Sequence, residues 1–277
     1  MRKHAWIVGS LILLTPALAS AATYVVAPNG DDGNAGDAAN PWATLQHAAD
    51  MVAAGDTVTV EPGDYAGFYV VTSGTAGAPI TFSAKPGVNI TSENGKTNLD
   101  GINIEDTENG NVIAYVIVEG FTVNGMARAG IRCAVSSHVT IRKNKMDQNQ
   151  VWGILTGFAD DLIVEENECS RSVEQHGIYV GNSGDRPIIR KNVIWGNSDN
   201  GIHMNGDVSL GGDGIISNAL VEANIIYDNG TGGGSGINCD GVQDSRIQNN
   251  LIYNTHASGI SLSMEAKSEP VEEEAKK

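Results

Sequence analysis

A Gly-Ile pair keeps returning in this chain, at Gly130-Ile131, Gly153-Ile154, Gly177-Ile178, Gly201-Ile202, Gly236-Ile237 and Gly259-Ile260. The intervals are 23, 24, 24, 35 and 23 residues. An asparagine follows each of the first five pairs: Asn144, Asn167, Asn192, Asn224 and Asn250, at 14, 14, 15, 23 and 14 residues after its glycine. A period of this size marks units that bury their apolar face only by stacking on one another. Equivalent residues then form columns, and a site built by the repeats must run along a column.

Each repeat holds short β-branched runs, such as Val139-Thr140-Ile141 and Leu162-Ile163-Val164, separated by Gly, Asn, Asp and Ser. Such runs read as short strands. The fold class expected is all-β, a parallel β-helix: a single-stranded solenoid rising about 4.8 Å per coil of about 23 residues. Strand alternation puts the first and third residues after each glycine inside. These are Ile131/Cys133, Ile154/Thr156, Ile178/Val180, Ile202/Met204, Ile237/Cys239 and Ile260/Leu262. The repeating asparagine suits a bend in left-handed backbone and a hydrogen-bonded side-chain ladder.

The two ends differ from the repeats. Arg2 and Lys3 precede an apolar stretch to Leu14 and the small residues Ala17-Leu18-Ala19 and Ala19-Ser20-Ala21, so residues 1–21 read as a secretory signal peptide. Residues 22–263 form the β-helix domain, in which 22–56 make an N-terminal cap. There Trp42, Leu45, Ala49 and Val52 share one face of a helix spanning Trp42 to Ala54. Residues 264–277 are a charged tail of disordered composition. Nothing apolar remains there to close the solenoid: the expectation is a truncated chain, the alternatives a tail foreign to the fold or a partner that covers the end. No other segment is long and apolar enough to cross a bilayer, so the expected location is secreted, extracellular or periplasmic.

The net charge of −16 argues against nucleic acid or anionic membranes as partners. A polyanionic substrate would need a cation to bridge it. The three cysteines fall on interior columns. Cys133 and Cys239 share one column four coils apart, on the order of 20 Å and beyond disulfide reach. They read as buried free thiols.

The segments Tyr24-Val25-Val26-Ala27-Pro28-Asn29-Gly30, Asn40-Pro41-Trp42-Ala43-Thr44-Leu45-Gln46, Gly55-Asp56-Thr57-Val58 and Glu61-Pro62-Gly63-Asp64-Tyr65 resemble the opening of secreted right-handed parallel β-helix proteins of the pectin-lyase-like type, close to polysaccharide lyase family 9. The resemblance spans about residues 23–263. It implies a right-handed solenoid, an extracellular polysaccharide as partner, a calcium ion held by several aspartates, and a lysine base. Lyases, hydrolases, epimerases and non-catalytic proteins share this scaffold, so the reaction must be argued from the site.

The second and fourth residues after each glycine face outward. On the later coils they give a polar patch of Tyr179, His203, Asn205, Asn238 and Asp240. The long interval after Gly201 is an insertion around Asp207 to Ser217, expected to emerge as a loop beside that patch. His176 and Asn200, each just before its glycine, line the same edge. In β-elimination on a uronate chain, His203 would be the base and Tyr179 the proton donor. Asp207, Asp213 and Asp240 are candidates to hold calcium. Arg132 and Arg186 are candidates to bind carboxylates. The basic residues Arg142, Lys143, Arg190 and Lys191 alternate with Glu165, Glu166 and Glu222 and read as a cross-strand charge ladder. The function expected is a polysaccharide lyase. The alternatives are a glycoside hydrolase or C5-epimerase on the same fold, or a non-catalytic polysaccharide-binding protein. A hydrolase needs two carboxylates facing one bond, for which only Asp207, Asp213 and Asp240 are near enough.

Overall fold

The computed structural model describes residues 21–263. The segments read as signal peptide and charged tail otherwise lie outside the described residues. Three parallel sheets of nine, eight and nine strands run along one axis, each coil adding one strand to each sheet. The first sheet starts at Thr23–Val26 and Thr57–Val60, the second at Gly63–Ala66, and the third at Phe68–Val70. Register is strict where the Gly-Ile pairs lie: Ile131 pairs with Ile154, Ile154 with Ile178, Ile178 with Ile202, and Ile202 with Ile237. The first and third residues after each glycine are buried from Ile131 to Cys239, as alternation dictates. The three cysteines are buried and free.

The solenoid begins before the sequence repeat becomes visible. Gly101-Ile102 is the same pair one coil earlier, with Ile102 on Ile131. The coil before that carries Gly67-Phe68, with Phe68 on Ile102. Phe replaces Ile there, and the surrounding coils differ in length, so the period fades although the register does not. Phe68, Phe82 and Phe121 fill this end of the core.

The asparagines form a ladder, each backbone N–H bonding the side chain of the next. The Asn144 N–H donates to Asn167 Oδ1 at 3.0 Å, Asn167 N–H to Asn192 Oδ1 at 2.9 Å, and Asn192 N–H to Asn224 Oδ1 at 2.9 Å. Each side-chain NH2 donates to a carbonyl one coil earlier, such as Asn192 Nδ2 to Val164 O at 2.9 Å. The expected left-handed backbone falls on the residue before each asparagine instead: Lys143, Glu166, Lys191, Ala223 and Asn249, with φ of 56°, 56°, 55°, 56° and 56°. The preceding residue makes the corner, and the asparagine satisfies the peptide groups that the corner leaves unpaired.

A second ladder lies at the next corner. Met126 N–H donates to Asn149 Oδ1 at 3.0 Å, Ser172 N–H to Asn197 Oδ1 at 3.0 Å, and Asn197 N–H to Asn229 Oδ1 at 3.1 Å. Close stacking at this corner explains the repeating glycine: even at Gly153, where no ladder asparagine lies near, a Cβ would stand 2.5 Å from the Gly177 carbonyl. A Cβ at Gly177 would stand 2.8 Å from Asn197 Nδ2 and 2.9 Å from the Gly201 carbonyl, and one at Gly130 2.8 Å from both Asn149 Nδ2 and the Gly153 carbonyl. The glycine therefore makes room for ladder and chain at a point where the backbone needs no unusual φ. Ser172 interrupts this ladder, and its hydroxyl is buried without a partner.

The charge ladder forms as expected, with Arg142 Nε on Glu119 at 2.6 Å and Arg190 on Glu165 at 2.7 Å. The capping helix is shorter than its apolar pattern suggests, Leu45–Met51. Thr44 caps it by accepting the His47 N–H, and Val52 is already extended. Trp42 lies outside the helix, bridged to Val26 and stacked on Tyr24 at 4.4 Å. The Gln46 side chain accepts the Tyr69 N–H at 2.9 Å and donates to its carbonyl at 3.1 Å, replacing the strand neighbour that the edge strand Phe68–Val70 lacks.

Two substitutions test the ladders. Asn192→Ala strands the Asn167 N–H and the Val164 carbonyl in the core and should cost about 3 kcal/mol, at about 1–3 for each buried orphan. Ser172→Asn should complete the second ladder and stabilise the fold by about 1 kcal/mol. Denaturant midpoints at constant m-value would read both.

Candidate functional site

The outward column of the third sheet runs in register through Tyr69, Asn103, Arg132, Leu155, Tyr179, His203, Asn238 and Ser261. An open groove of about 580 Å³ follows its middle coils. Arg128 and Arg132 stand at one end, Trp152 and Leu155 line the centre, and Tyr179 and His203 stand at the other end. Leu210, from the insertion, forms part of the wall.

At the far end the polar groups form one directed chain. The Asn200 backbone N–H donates to His176 Nδ1 at 3.2 Å, so that nitrogen carries the lone pair and Nε2 carries the proton. His176 Nε2 lies 3.0 Å from His203 Nδ1. His203 must therefore accept there and donate from Nε2 to Asp240 Oδ2, 2.9 Å away. One backbone amide thus fixes the tautomer of two imidazoles. His176 is 4% exposed. Burial, with a lesser contribution from His203, pulls its pKa down to about 3. Asp199 Oδ2 stands 3.6 Å from His176 Nδ1. The Asn200 N–H already fills that position, so the neutral ring makes no ion pair.

Burial alone would raise the Asp240 carboxyl, but hydrogen bonds from Ser263, His203 and Asn238 outweigh it and hold it below its ordinary value. The Asn238 side chain donates to Asp240 Oδ2 at 2.8 Å. Burial pushes the Tyr179 phenol up, although Asn205 Nδ2 donates to its oxygen at 3.0 Å. Tyr179 therefore keeps its proton at neutral pH. Its ring packs edge-on to His203 with centroids 5.2 Å apart.

At the near end, two guanidiniums are held from behind. Arg128 makes a two-pronged pair with Asp100, its Nε at 2.8 Å from Oδ1. Arg132 Nε donates to Glu105 Oε1 at 2.8 Å. Asn103 ties the two carboxylates together, donating to Asp100 at 3.1 Å and to Glu105 at 2.6 Å. Asp100, Asn103 and Glu105 are buried, whereas both arginines reach the groove.

The structure thus brings His176, Tyr179, His203, Asn205, Asn238 and Asp240 together, with Arg132 two coils from Tyr179. Other candidates lie elsewhere. Asn200 is buried, and its Oδ1 accepts the Ser235 N–H at 2.7 Å. Arg186 sits on the corner beyond the groove, paired with Asp161 at 2.7 Å. Asp207 accepts the Ser209 N–H at 2.8 Å and Asp213 the Ile215 N–H at 3.0 Å, each inside its own exposed turn. Among the described residues, no group of three or more His, Cys, Asp and Glu side chains is placed to hold a metal ion. Sequence reasoning missed Arg128, Trp152, Asp100 and Glu105. The residue before each glycine could have revealed Trp152, because His176 and Asn200 occupy the same place in later coils; Arg128, one residue further back, had no such signal.

The groove can stack sugar rings on Tyr179 and Trp152, bond hydroxyls through the His203–Asp240 end, and offer cations at the other. Residues 50–257 match the NosD family, described as periplasmic copper-binding protein. The uncharacterized protein YwoF of Bacillus subtilis (strain 168) is 28% identical over 275 residues, covering 87% of this chain and 58% of that protein. The chain therefore spans little more than half the length of that curated relative. Two solved structures are similar in fold. The complex of XylC with xylose has a TM-score of 0.70 and 13% identity, over 88% of this chain and 63% of that one. Pectate lyase Pel9A has a TM-score of 0.57 and 16% identity, over 91% and 80%. No described helix is long and apolar enough to cross a membrane.

The fixed tautomers make a pH prediction. Unfolded His176 binds a proton near pH 6.5 and the folded residue only near 3. Its contribution to stability is full above pH 6.5 and falls as pH drops from there towards 3, by up to about 1.4 kcal/mol per unit. Between pH 6.5 and 5 the wild type should lose stability faster than His176→Gln. Histidine 15N spectra should show both rings protonated on Nε2.

Proposed function

The chain belongs to the NosD family, and on that premise and the groove we propose an exported protein that binds an acidic polysaccharide along its third sheet and cleaves it by β-elimination. The observation that carries this reading is the single column holding Arg132, Leu155, Tyr179 and His203, with Trp152 beside it. It offers a cationic end, an apolar and aromatic floor, and an acid–base end, spaced by coils about 4.8 Å apart. The fold shared with a pectate lyase and the opening segments similar to family 9 lyases support the same chemistry.

In the cleavage step, His203 takes the proton at C5 of the uronate, the C4–O bond breaks as the C4–C5 double bond forms, and Tyr179 protonates the leaving oxygen. No co-reactant is consumed. The proton enters His203 at Nδ1, the position now covered by His176, so substrate must open that hydrogen bond. Asp240, ionised and 2.9 Å from Nε2, then stabilises the imidazolium. The Arg128 and Arg132 guanidiniums supply positive charge in an otherwise acidic chain.

The covered nitrogen also favours a second reading, binding without cleavage: both ring nitrogens of His203 are engaged at rest.

The family description raises copper. Copper sites draw on imidazole, thiolate and thioether ligands. Here His176 offers its Nδ1 lone pair to a backbone amide and its Nε2 proton to His203. The thiols are buried, with Cys133 and Cys239 pushed up to about 12, chiefly by burial. The described residues do not fit a copper centre, and no step is assigned to one.

Ultraviolet absorbance of unsaturated product, followed on a panel of uronate polymers with calcium and then with a chelator, tests the proposal. A rise is expected with wild type, and Tyr179→Phe should slow it by about 100-fold or more while leaving affinity within a few fold. Binding with no rise on any polymer would sink cleavage and leave the binding reading. A chelator-sensitive rise would bring calcium into the reaction.

A further inference from the structure

The groove wall holds polar atoms that the protein itself does not satisfy. Trp152 Nε1 is buried with no hydrogen-bond partner, and so is Asn182 Oδ1. Both residues line the groove. Trp152 belongs to the cationic end: it pairs in register with Ala129, and its backbone N–H donates to the Arg128 carbonyl at 3.1 Å. The arginines show a matching surplus. Asp100 takes the Nε and one Nη2 proton of Arg128, and Glu105 takes the Nε proton of Arg132. Among the described residues no acceptor takes the remaining Nη protons. Three groups that can only donate therefore meet in one stretch of groove. A buried donor without an acceptor costs about 1–3 kcal/mol, which a bound acceptor would recover.

We propose that Arg128, Arg132 and the Trp152 N–H form a carboxylate-reading subsite. This deepens, and rests on, the reading that a saccharide chain lies in the groove. The subsite accepts the carboxylate of one uronate through the outer edges of two guanidiniums and the indole N–H. The buried Asp100–Asn103–Glu105 network fixes the arginines from behind, so little side-chain entropy is lost on binding. The guanidiniums lie between ligand and carboxylates, so the nearest charge the ligand meets is positive although the cluster is neutral.

Register then sets a ruler. Arg132 lies two coils from Tyr179 and three from His203, about 10 and 14 Å at 4.8 Å per coil. A chain laid along the axis therefore puts the carboxylate read by the arginines on a different sugar from the one at Tyr179 and His203. The preferred ligand is a run of uronates, not a single acidic sugar at the reacting position.

Calorimetric titration of the full chain with uronate tetramers, uronate monomer and carboxyl-reduced tetramers tests this. Trp152→Phe keeps an aromatic face and deletes the N–H together with part of the indole, and the reduced tetramer controls for the lost area. Arg132→Gln removes a cation, with circular dichroism checking the fold because Glu105 loses its partner. The acidic tetramer should bind at least tenfold tighter than the reduced one, and tighter than the monomer. Trp152→Phe should weaken the acidic tetramer on the order of tenfold more than it weakens the reduced one, which loses only stacking area. Arg132→Gln should act the same way, more strongly. Equal binding of acidic and reduced tetramers, or an equal effect of Trp152→Phe on both, would overturn the subsite while leaving saccharide binding intact. Failure of the folded protein to bind any tetramer would overturn the saccharide reading and the subsite with it.

Discussion

Strict in-register stacking is the constraint on which everything else depends. Parallel strands one coil apart must carry equivalent residues at equivalent points, so a side chain that works in one coil is presented to its own counterpart in the next. Asparagine exploits this: its amide can both accept and donate along the stack, and repeats of it close a chain of bonds through an otherwise dry core. The same stacking brings neighbouring backbones so close at the Gly-Ile corner that only glycine leaves room. Register also fixes the geometry of the groove, because it converts sequence spacing into distance along it.

What the sequence made legible follows from that rule. Period, interior columns, outward column and charge ladder all depend on alternation and spacing alone, and these survive in any sequence that keeps the register. The left-handed corner was misplaced onto the asparagine because asparagine tolerates that backbone. The corner actually falls on Lys143, Glu166 and Lys191, whose side chains carry no such signal. The second ladder was hidden by Ser172, which breaks its pattern midway. Arg128 and Trp152 were invisible as a pair because they lie in coils of different length and resemble each other in no property except the atoms they leave unpaired. Asn200 looked like a groove residue and is a brace for His176 and Ser235.

The electrostatics of the groove are the reverse of the whole molecule's. A chain with a net charge of −16 would repel a polyanion at long range. Contact is governed by the nearest charges, and burying Asp100 and Glu105 beneath Arg128 and Arg132 leaves the guanidinium edges in front. At the other end, one backbone amide orders two imidazoles and a carboxylate. The two ends thus differ in kind: a pair of cations propped by buried anions, and a hydrogen-bonded relay whose direction is set by the main chain.

The break at Ser172 acquires a mechanical meaning from its position. It removes one side-chain link between the coil bearing Leu155 and the coil bearing Tyr179, while the junctions on either side keep theirs. The two coils remain joined by backbone bonds and the Asn144–Asn167 rung. The side-chain stack therefore lacks a rung where the two ends of the groove meet, like a spring with one softened turn. For the proposed ligand, slack at that junction would let the spacing between the arginines and the relay adjust to a saccharide repeat.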